Sequence, residues 1–277
     1  METYDFYKNP SILIQGAMES ETEYLIGQLA QKACVKYGNW SFYTGFLGES
    51  KSPVIISRTF QGMVNAAAAT TLALTHFSPR AVINQGIAGG HDSTFYRGDI
   101  VLGTRAVPMG AMIRPFAKKG EGFCESDFTP LGIEVFRKSK GKTEKVLDFP
   151  CDDRLLAAAE HTAKDYLAAE EALMKKKAVC KRTRKIEAGV LGSADEWNNQ
   201  FDRIVLLRER YKTTTEDMES AAVAQLCDSY GIPFLGIRII SNSIVTGEEL
   251  DESVAEDCQR YVIRVVENVA GDFGTIK

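Results

Sequence analysis

Short apolar runs alternate along the chain with segments of helical period, and that alternation predicts an α/β fold. Residues 11–17 (SILIQGA) read as a buried strand. Residues 19–37 read as a helix, with Leu25, Leu29 and Cys34 near one face. Residues 40–47 and 53–58 predict a hairpin-like strand pair, and residues 62–77 an alanine-rich helix whose run at 66–69 permits close packing. Residues 81–85 (AVINQ) form a strand that ends in a glycine-rich turn, Gly86-Ile-Ala-Gly-Gly90. Residues 99–107 make another strand. Between 109 and 150 the periodicity fades, and a segment that long without a clear pattern is usually functional or mobile. A long helix over 155–177, a strand over 188–193 and a short helix over 202–211 follow. The helix over 218–230 is closed by Gly231 and Pro233. A strand over 234–241 and a helix over 253–271 finish the chain. No repeat or low-complexity linker interrupts the pattern, so the expectation is one domain over 1–277.

Composition narrows this picture. The 277 residues are 44% hydrophobic and 25% charged, ordinary globular usage, enough to bury a core without staples. A net charge of −4 gives no reason to expect a nucleic acid as partner. The basic block Lys175–Lys177, Lys181, Arg182, Arg184 and Lys185 reads as a solvated helix end, since no aromatic residues are interleaved for base stacking. The six cysteines, at 34, 124, 151, 180, 227 and 258, contain no zinc-type pair. Reduced thiols and a cytoplasmic location are expected. The acidic, aromatic N-terminus does not read as a signal peptide, and no apolar run is long enough to span a bilayer.

Three places put polar residues where a strand ends, which is where open α/β sheets collect ligands. One is Gly16-Ala-Met-Glu-Ser-Glu21; the second is the glycine-rich stretch 86–90, which matches neither a dinucleotide fingerprint nor a P-loop. The third joins the acids of Thr215-Glu-Asp-Met-Glu219 to Arg238 and Asn242 at the end of the next strand. Each has a plain structural explanation alone, since carboxylates at helix starts compensate the dipole. A serine triad finds no elbow motif, and His76, His91 and His161 are not spaced as a metal pair.

Taken in order, ILIQGAMESE (12–21), AVINQGIAGG (81–90), GSADEWNN (192–199), EDMESAAVAQLC (216–227) and PFLGIRIISN (233–242) resemble the 5′-methylthioadenosine/S-adenosylhomocysteine nucleosidases, within the nucleoside phosphorylase superfamily. The resemblance implies a three-layer α/β/α sandwich around a mixed, partly barrel-like sheet. It implies a homodimer, no metal or organic cofactor, a purine nucleoside as small-molecule partner and no nucleic acid or membrane partner. It makes Glu21 the base that activates the attacking water, Glu219 the acceptor for the ribose hydroxyls and Asn242 the purine N7 contact. Met218 would pack on the ribose, and Ile87 and Ala88 line the sugar wall. Met18 and Gly89 join them as substrate-binding residues. Trp197 would stack on the base, Asn198 would bind it through its backbone, Arg238 would support the site and Ser241 would orient Asn242.

Two departures shape the expectation. Where phosphorylases of the superfamily place arginines and a serine for phosphate, this chain has Glu19–Glu21, Asn84 and Ile87, with Arg58 as the one arginine arguable as an anion ligand. Adenine-specific members carry Asp at the place of Asn242, and an amide cannot deliver a proton as a carboxylic acid can. The resulting reading is a purine ribonucleoside hydrolase, with a 6-oxopurine nucleoside such as inosine or futalosine admitted by Asn242. The alternatives are a purine nucleoside phosphorylase and a non-catalytic binding or storage protein of the same fold. Extra length relative to the family falls near 109–150, a region that in the family contributes to the pocket for the 5′ substituent and where Phe116, Phe123 and Phe128 are candidate apolar contacts not matched to any family position, and near 170–186.

Overall fold

The computed structural model describes residues 4–138, 140–177 and 182–272; Cys180 and Lys181 lie outside them. From the N-terminus come β1 (Ser11–Gly16), the short helix α1 (Glu23–Gly27), β2 (Ala30–Tyr37), β3 (Trp40–Leu47) and β4 (Ser52–Arg58). Helix α2 (Met63–His76) leads to β5 (Pro79–Gly90) and β6 (Ile100–Pro108). Short pairs follow, β7 (Met112–Ile113) with β8 (Thr129–Pro130) and β9 (Ile133–Arg137) with β10 (Lys142–Val146), then β11 (Phe149–Pro150). The remainder is α3 (Asp153–Lys177), β12 (Ile186–Ser193), α4 (Phe201–Tyr211), β13 (Thr215–Asp217), α5 (Ser220–Tyr230), β14 (Phe234–Asn242) and α6 (Ala255–Asp272).

β1 is buried at every position because it has parallel neighbours on both edges: Ile12 pairs with Val54 of β4 and with Ala81 of β5. The sheet runs β11-β6-β12-β13-β5-β1-β4-β3-β2, and β14 pairs with both β5 and β6. That double pairing closes β6, β12, β13, β5 and β14 into a ring and leaves β1, β4, β3 and β2 as an open wing. The expected mixed, partly barrel-like sheet is therefore what the chain forms. Helix α2 packs on α5, while α3 and α1 pack on α6, giving the two helical layers. The main core joins Ile12, Ile14, Val54, Ile83, Leu102, Ile237 and Val266 across these layers. Helix α5 ends where its sequence predicts, with Gly231 in the left-handed conformation at φ 70°.

Three expectations need correction. Residues 19–37 are not one helix: α1 is five residues long and Ala30–Tyr37 is an edge strand, antiparallel to β3 through a turn with Gly38 at φ 60°. Leu25 and Leu29 are buried as read, but Cys34 is exposed. Strand pairing overrides local helical spacing here, because a strand partner lies only two residues away in sequence. Second, residues 86–90 are not a turn but the end of the twelve-residue β5. Their glycines are required by close neighbours: a Cβ at Gly86 would lie 2.3 Å from Glu21 Oε1 and 2.8 Å from Arg238 Nη1. Third, the acids at 215–217 form β13, and α5 begins at Ser220 rather than at Met218.

In the segment 109–150, Phe128 is buried beside Tyr211, whereas Phe116 and Phe123 are 89% and 81% exposed and do not reach the cleft described below. Cys34, Cys124, Cys151, Cys227 and Cys258 are free thiols. Three described members of the basic block are paired: Lys175 meets Glu171, Arg182 meets Asp99, and Arg184 bridges Glu170 and Asp257. Among the described residues, no helix is long and apolar enough to cross a membrane.

Candidate active site

The C-terminal ends of β1, β5 and β14, the start of α5 and the loop after β12 surround an open cleft with about 630 Å³ of empty space. Met18, Glu21, Ile87, Ala88, Gly89, Trp197, Met218, Glu219, Ser241 and Asn242 all line it, and Asn198 and Arg238 stand behind its wall. The parallel order of β1, β5 and β14 explains the convergence, since parallel strands deliver their last residues to one edge.

Glu21 sits in the loop after β1 and is almost fully buried. Its Oε2 accepts the Ala17 and Met18 N–H groups at 2.7 and 2.9 Å, and its Oε1 accepts Ile87 N–H at 2.8 Å. A carboxylate offers about four acceptor directions, so these bonds leave a free one on Oε1. The Gln85 side chain donates to the Glu21 carbonyl at 2.5 Å, and Gln259 of α6 donates to Ser20 O at 2.7 Å. Burial raises the Glu21 carboxyl above the ordinary range against the pull of Arg238 and the three N–H groups. A carboxylate with a raised pKa is a stronger proton acceptor than an exposed one, as a general base requires.

Arg238, 1% exposed, organises the floor. Its Nε donates to Asp217 Oδ2 at 3.0 Å, and its Nη2 donates to Asn84 Oδ1 at 2.5 Å and to Ser220 Oγ at 3.0 Å. Nη2 also lies 3.6 Å from Glu219 Oε2. Burial disfavours the guanidinium charge, but Asp217, Glu219 and Glu21 outweigh it and raise its pKa. Asp217 Oδ1 accepts Ser193 Oγ and the Glu219 and Ser220 N–H groups, each at 2.8 Å. Burial works to raise Asp217, yet Arg238 and those N–H groups hold it below the ordinary aspartate range. Burial pushes Glu219 up to about 7, with Arg238 opposing and the Asp217 and Glu21 charges adding to the rise. Glu219 Oε1 accepts Gly62 N–H at 3.0 Å, at the start of α2.

At the other end of the cleft, Ser241 Oγ lies 2.9 Å from Asn242 Oδ1 and 3.2 Å from Ala88 O. The shorter contact turns the Asn242 Nδ2 donor toward Gly89. Trp197 is half-exposed at the mouth, its Nε1 donating to Asn199 Oδ1 at 3.0 Å. Asn198 is buried, and both its backbone N–H (3.2 Å) and its side-chain amide (2.6 Å) donate to Glu216, so that N–H is not free for a base. His91 Nε2 lies 3.2 Å from Glu216 Oε2 without hydrogen-bond alignment, and its Nδ1 meets Thr213 Oγ1 at 2.8 Å.

Sequence reasoning missed Glu216, Asp217, Gln61, Glu196 and Glu252, all of which line the cleft. Glu216 and Asp217 were visible only as part of an acidic run, and nothing in the sequence announces the others. Arg58 is not a free anion ligand: it bonds Thr22 Oγ1 at 3.1 Å and lies 3.6 Å from Glu19 Oε2. Among the described residues, no group of His, Cys, Asp and Glu is arranged to hold a metal ion.

This architecture has known relatives. The chain is 28% identical over 260 residues to a 5′-methylthioadenosine/S-adenosylhomocysteine nucleosidase from Anoxybacillus flavithermus, covering 94% of this chain and 96% of that one. In fold it is similar to the nucleosidase of Neisseria meningitidis solved with methylthio-immucillin-A, at TM-score 0.69 and 24% identity, over 93% of this chain and 98% of that one. It is similar in the same way to the futalosine hydrolase of Helicobacter pylori, at TM-score 0.68 and 18% identity, over 93% and 97% of the two chains. A family model described as the phosphorylase superfamily matches residues 11–270, and the chain belongs to that superfamily.

Proposed function

We propose that this protein is a purine nucleosidase: it cleaves the N-glycosidic bond of a purine ribonucleoside with water as the attacking group. The observation that carries the choice of water over phosphate is the charge of the cleft. Glu21, Glu196, Glu216, Asp217, Glu219 and Glu252 line it, and no Lys, Arg or His among the described residues does. Like charges 4 Å apart repel by about 4 kcal/mol at an effective dielectric of 20, so each ionised carboxylate of this lining disfavours a phosphate dianion and leaves neutral water as the favoured attacking group. The relatives named as nucleosidases support the same reading.

In this reading Glu21 Oε1 accepts a proton from water as the water oxygen bonds to the anomeric carbon. The bond from that carbon to the purine nitrogen breaks, and its electron pair leaves with the base. Positive charge building on the sugar ring is stabilised by Glu219, which also accepts hydrogen bonds from the ribose hydroxyls. Met218 packs on the sugar between Ile87 and Ala88, with Met18 and Gly89 completing that wall. Trp197 covers the base, and Asn198 acts through Glu216. Asn242 Nδ2 donates to the departing purine at N7, and the base takes its proton from solvent. The whole chain works as one domain, and we include a homodimer in the proposal. The exposed apolar side chains Val64, Ile113 and Phe116 are of the kind that a second copy covers; sedimentation of a monomer at micromolar concentration would remove that part.

The direct test is chromatographic. Inosine, adenosine, guanosine, methylthioadenosine, S-adenosylhomocysteine and futalosine are each incubated with the protein, with and without phosphate. Free base released at the same rate in both conditions supports the hydrolase. Acceleration by phosphate with formation of ribose 1-phosphate points to a phosphorylase, and binding without release to a storage or binding role.

Glu219 gives a pH signature. Its folded value of about 7 lies above the 4.5 of a free carboxyl. Its contribution to stability is thus complete below about pH 4.5 and fades as pH rises toward 7. Activity runs the other way, because the ionised form binds the sugar. The kcat/KM profile is expected to show an acid limb with a midpoint near 7, displaced in Glu219→Gln; a profile flat from pH 5.5 to 8.5 contradicts the assigned role.

Asn242 favours a 6-oxopurine, whose N7 and O6 are both acceptors for Nδ2. Asn242→Asp is expected to shift the ratio of kcat/KM toward adenosine by about tenfold or more, the effect of one hydrogen bond to a charged or protonated group. An unchanged ratio would separate Asn242 from base choice.

A further inference from the structure

Helix α2 begins without a cap of its own. Its N-cap position is Gly62, at φ 98°, which has no side chain to accept a hydrogen bond, and its first turn holds no acid. The first N–H groups of a helix point out of its end and carry the positive end of the dipole. Here two carboxylates from distant parts of the chain take them in succession. Glu219 Oε1 accepts Gly62 N–H at 3.0 Å, and Asp195 Oδ1 accepts Met63 N–H at 2.7 Å. Glycine suits the place between them, because a Cβ at Gly62 would lie 3.0 Å from Asp195 Oδ1.

The nucleosidase reading puts Glu219 on the ribose and gives Asp195 no role. Asp195 nevertheless opens the loop between β12 and α4 that carries Trp197. Ala194 N–H ties the start of that loop to Asp217 O at 3.1 Å, and Asp195 ties it to α2. Beyond Trp197, the Asn198 N–H and side-chain amide tie it to Glu216 at 3.2 and 2.6 Å. Trp197 stands half-exposed between these ties, its Nε1 donating to Asn199 Oδ1 within the same loop. We infer that Asp195 is a positioning residue: by fastening this loop to the start of α2 it holds the Trp197 ring over the purine. The inference rests on the nucleosidase reading for the purine itself. Releasing a fixed point so close to the ring gives it freedom that a bound base must then remove, so the loss falls on binding. Glu219 keeps its own bond to Gly62 N–H, and the chemical step is spared. A plain helix cap behaves differently, since its removal lowers stability and leaves KM alone.

For whichever nucleoside releases its base, Asp195→Ala is expected to raise KM by about 5- to 20-fold while kcat stays within about threefold. Asp195→Asn keeps the acceptor oxygen and is expected to hold KM within about threefold of wild type. Asp195 is exposed, so both variants are expected to fold, which urea unfolding checks. Two fluorescence measurements read the loop without turnover, in a Trp40→Phe background that leaves Trp197 as the sole tryptophan. Acrylamide quenching of the ligand-free protein is expected to rise in the alanine variant. The dissociation constant for hypoxanthine or adenine, followed through Trp197, is expected to rise by about 5- to 20-fold, as KM does. An unchanged KM, a fall in kcat at constant KM, an asparagine variant no better than alanine, or unchanged acrylamide quenching would each overturn the assignment. Failure of the nucleosidase reading is separately visible: the wild type then releases no base, while acrylamide quenching still reports whether Asp195 holds the loop.

Discussion

Glu21→Gln is expected to lower phosphate-independent base release by about 10²- to 10⁴-fold, the usual contribution of a positioned general base, while the dissociation constant for a nucleoside changes little. The substitution preserves size, so the cleft keeps its shape. What it removes is proton affinity, because an amide oxygen does not accept a proton from water at neutral pH. It also disturbs the bonds that hold the side chain. A carboxylate accepts Ala17 and Met18 N–H on one oxygen and Ile87 N–H on the other. An amide must turn its NH₂ toward one of these donors, at about 1–3 kcal/mol for the unsatisfied group. Urea unfolding separates that structural cost from the catalytic one. A folded variant with a rate within threefold of wild type would remove Glu21 from the mechanism.

Arg238→Met is expected to destabilise the protein by about 3–5 kcal/mol, the usual cost of removing one partner from a buried ionic cluster. Set against a total stability of about 5–15 kcal/mol, this is large enough to cripple expression. The reason is the company Arg238 keeps: Asp217 and Glu219 lie within 3.0 and 3.6 Å, and Glu21 acts on it electrostatically. Without the guanidinium these carboxyls can remain buried only by taking up protons. Their folded pKa values then lie above those of the unfolded chain. The variant should therefore be least impaired at pH 5 and progressively more impaired as pH rises through 8. Chemical denaturation at both pH values measures this directly. A uniform loss across the range would mean that the arginine acts by packing, and that its charge does not hold the site together.

Most of the fold is written in local patterns. The apolar run Ile12–Ile14 within β1 needs burial on both faces, and a central position among parallel neighbours supplies it. Helix α5 carries its own stop signal at Gly231. Glu21, Glu219 and Asn242 fall at a strand end or helix start and Arg238 lies in the middle of β14; each was legible through the family motif that contains it, since its position alone has a plain structural explanation. Local pattern failed where a partner outside the segment, near or far in sequence, decided the outcome. Residues 30–37 have helical spacing but become a strand because β3 is there to pair with them. The glycines at 86–90 look like a turn but extend β5, because Glu21, Arg238, Glu216 and Ser243 occupy the space that side chains would need.

The sequence by itself determined an α/β fold, the strand ends where chemistry gathers and the two carboxylates proposed to carry it. Only the tertiary structure decided that β14 closes the sheet against β6, that Arg238 balances three buried acids, and that Glu216 stands beside Asn242 across Gly89. The physical reason is range. Periodicity and capping act over a few residues, whereas the charge balance and the donor–acceptor order of the cleft come from side chains far apart in the chain, such as Asn84 and Arg238, 154 positions apart, and the still more distant Glu21 and Arg238.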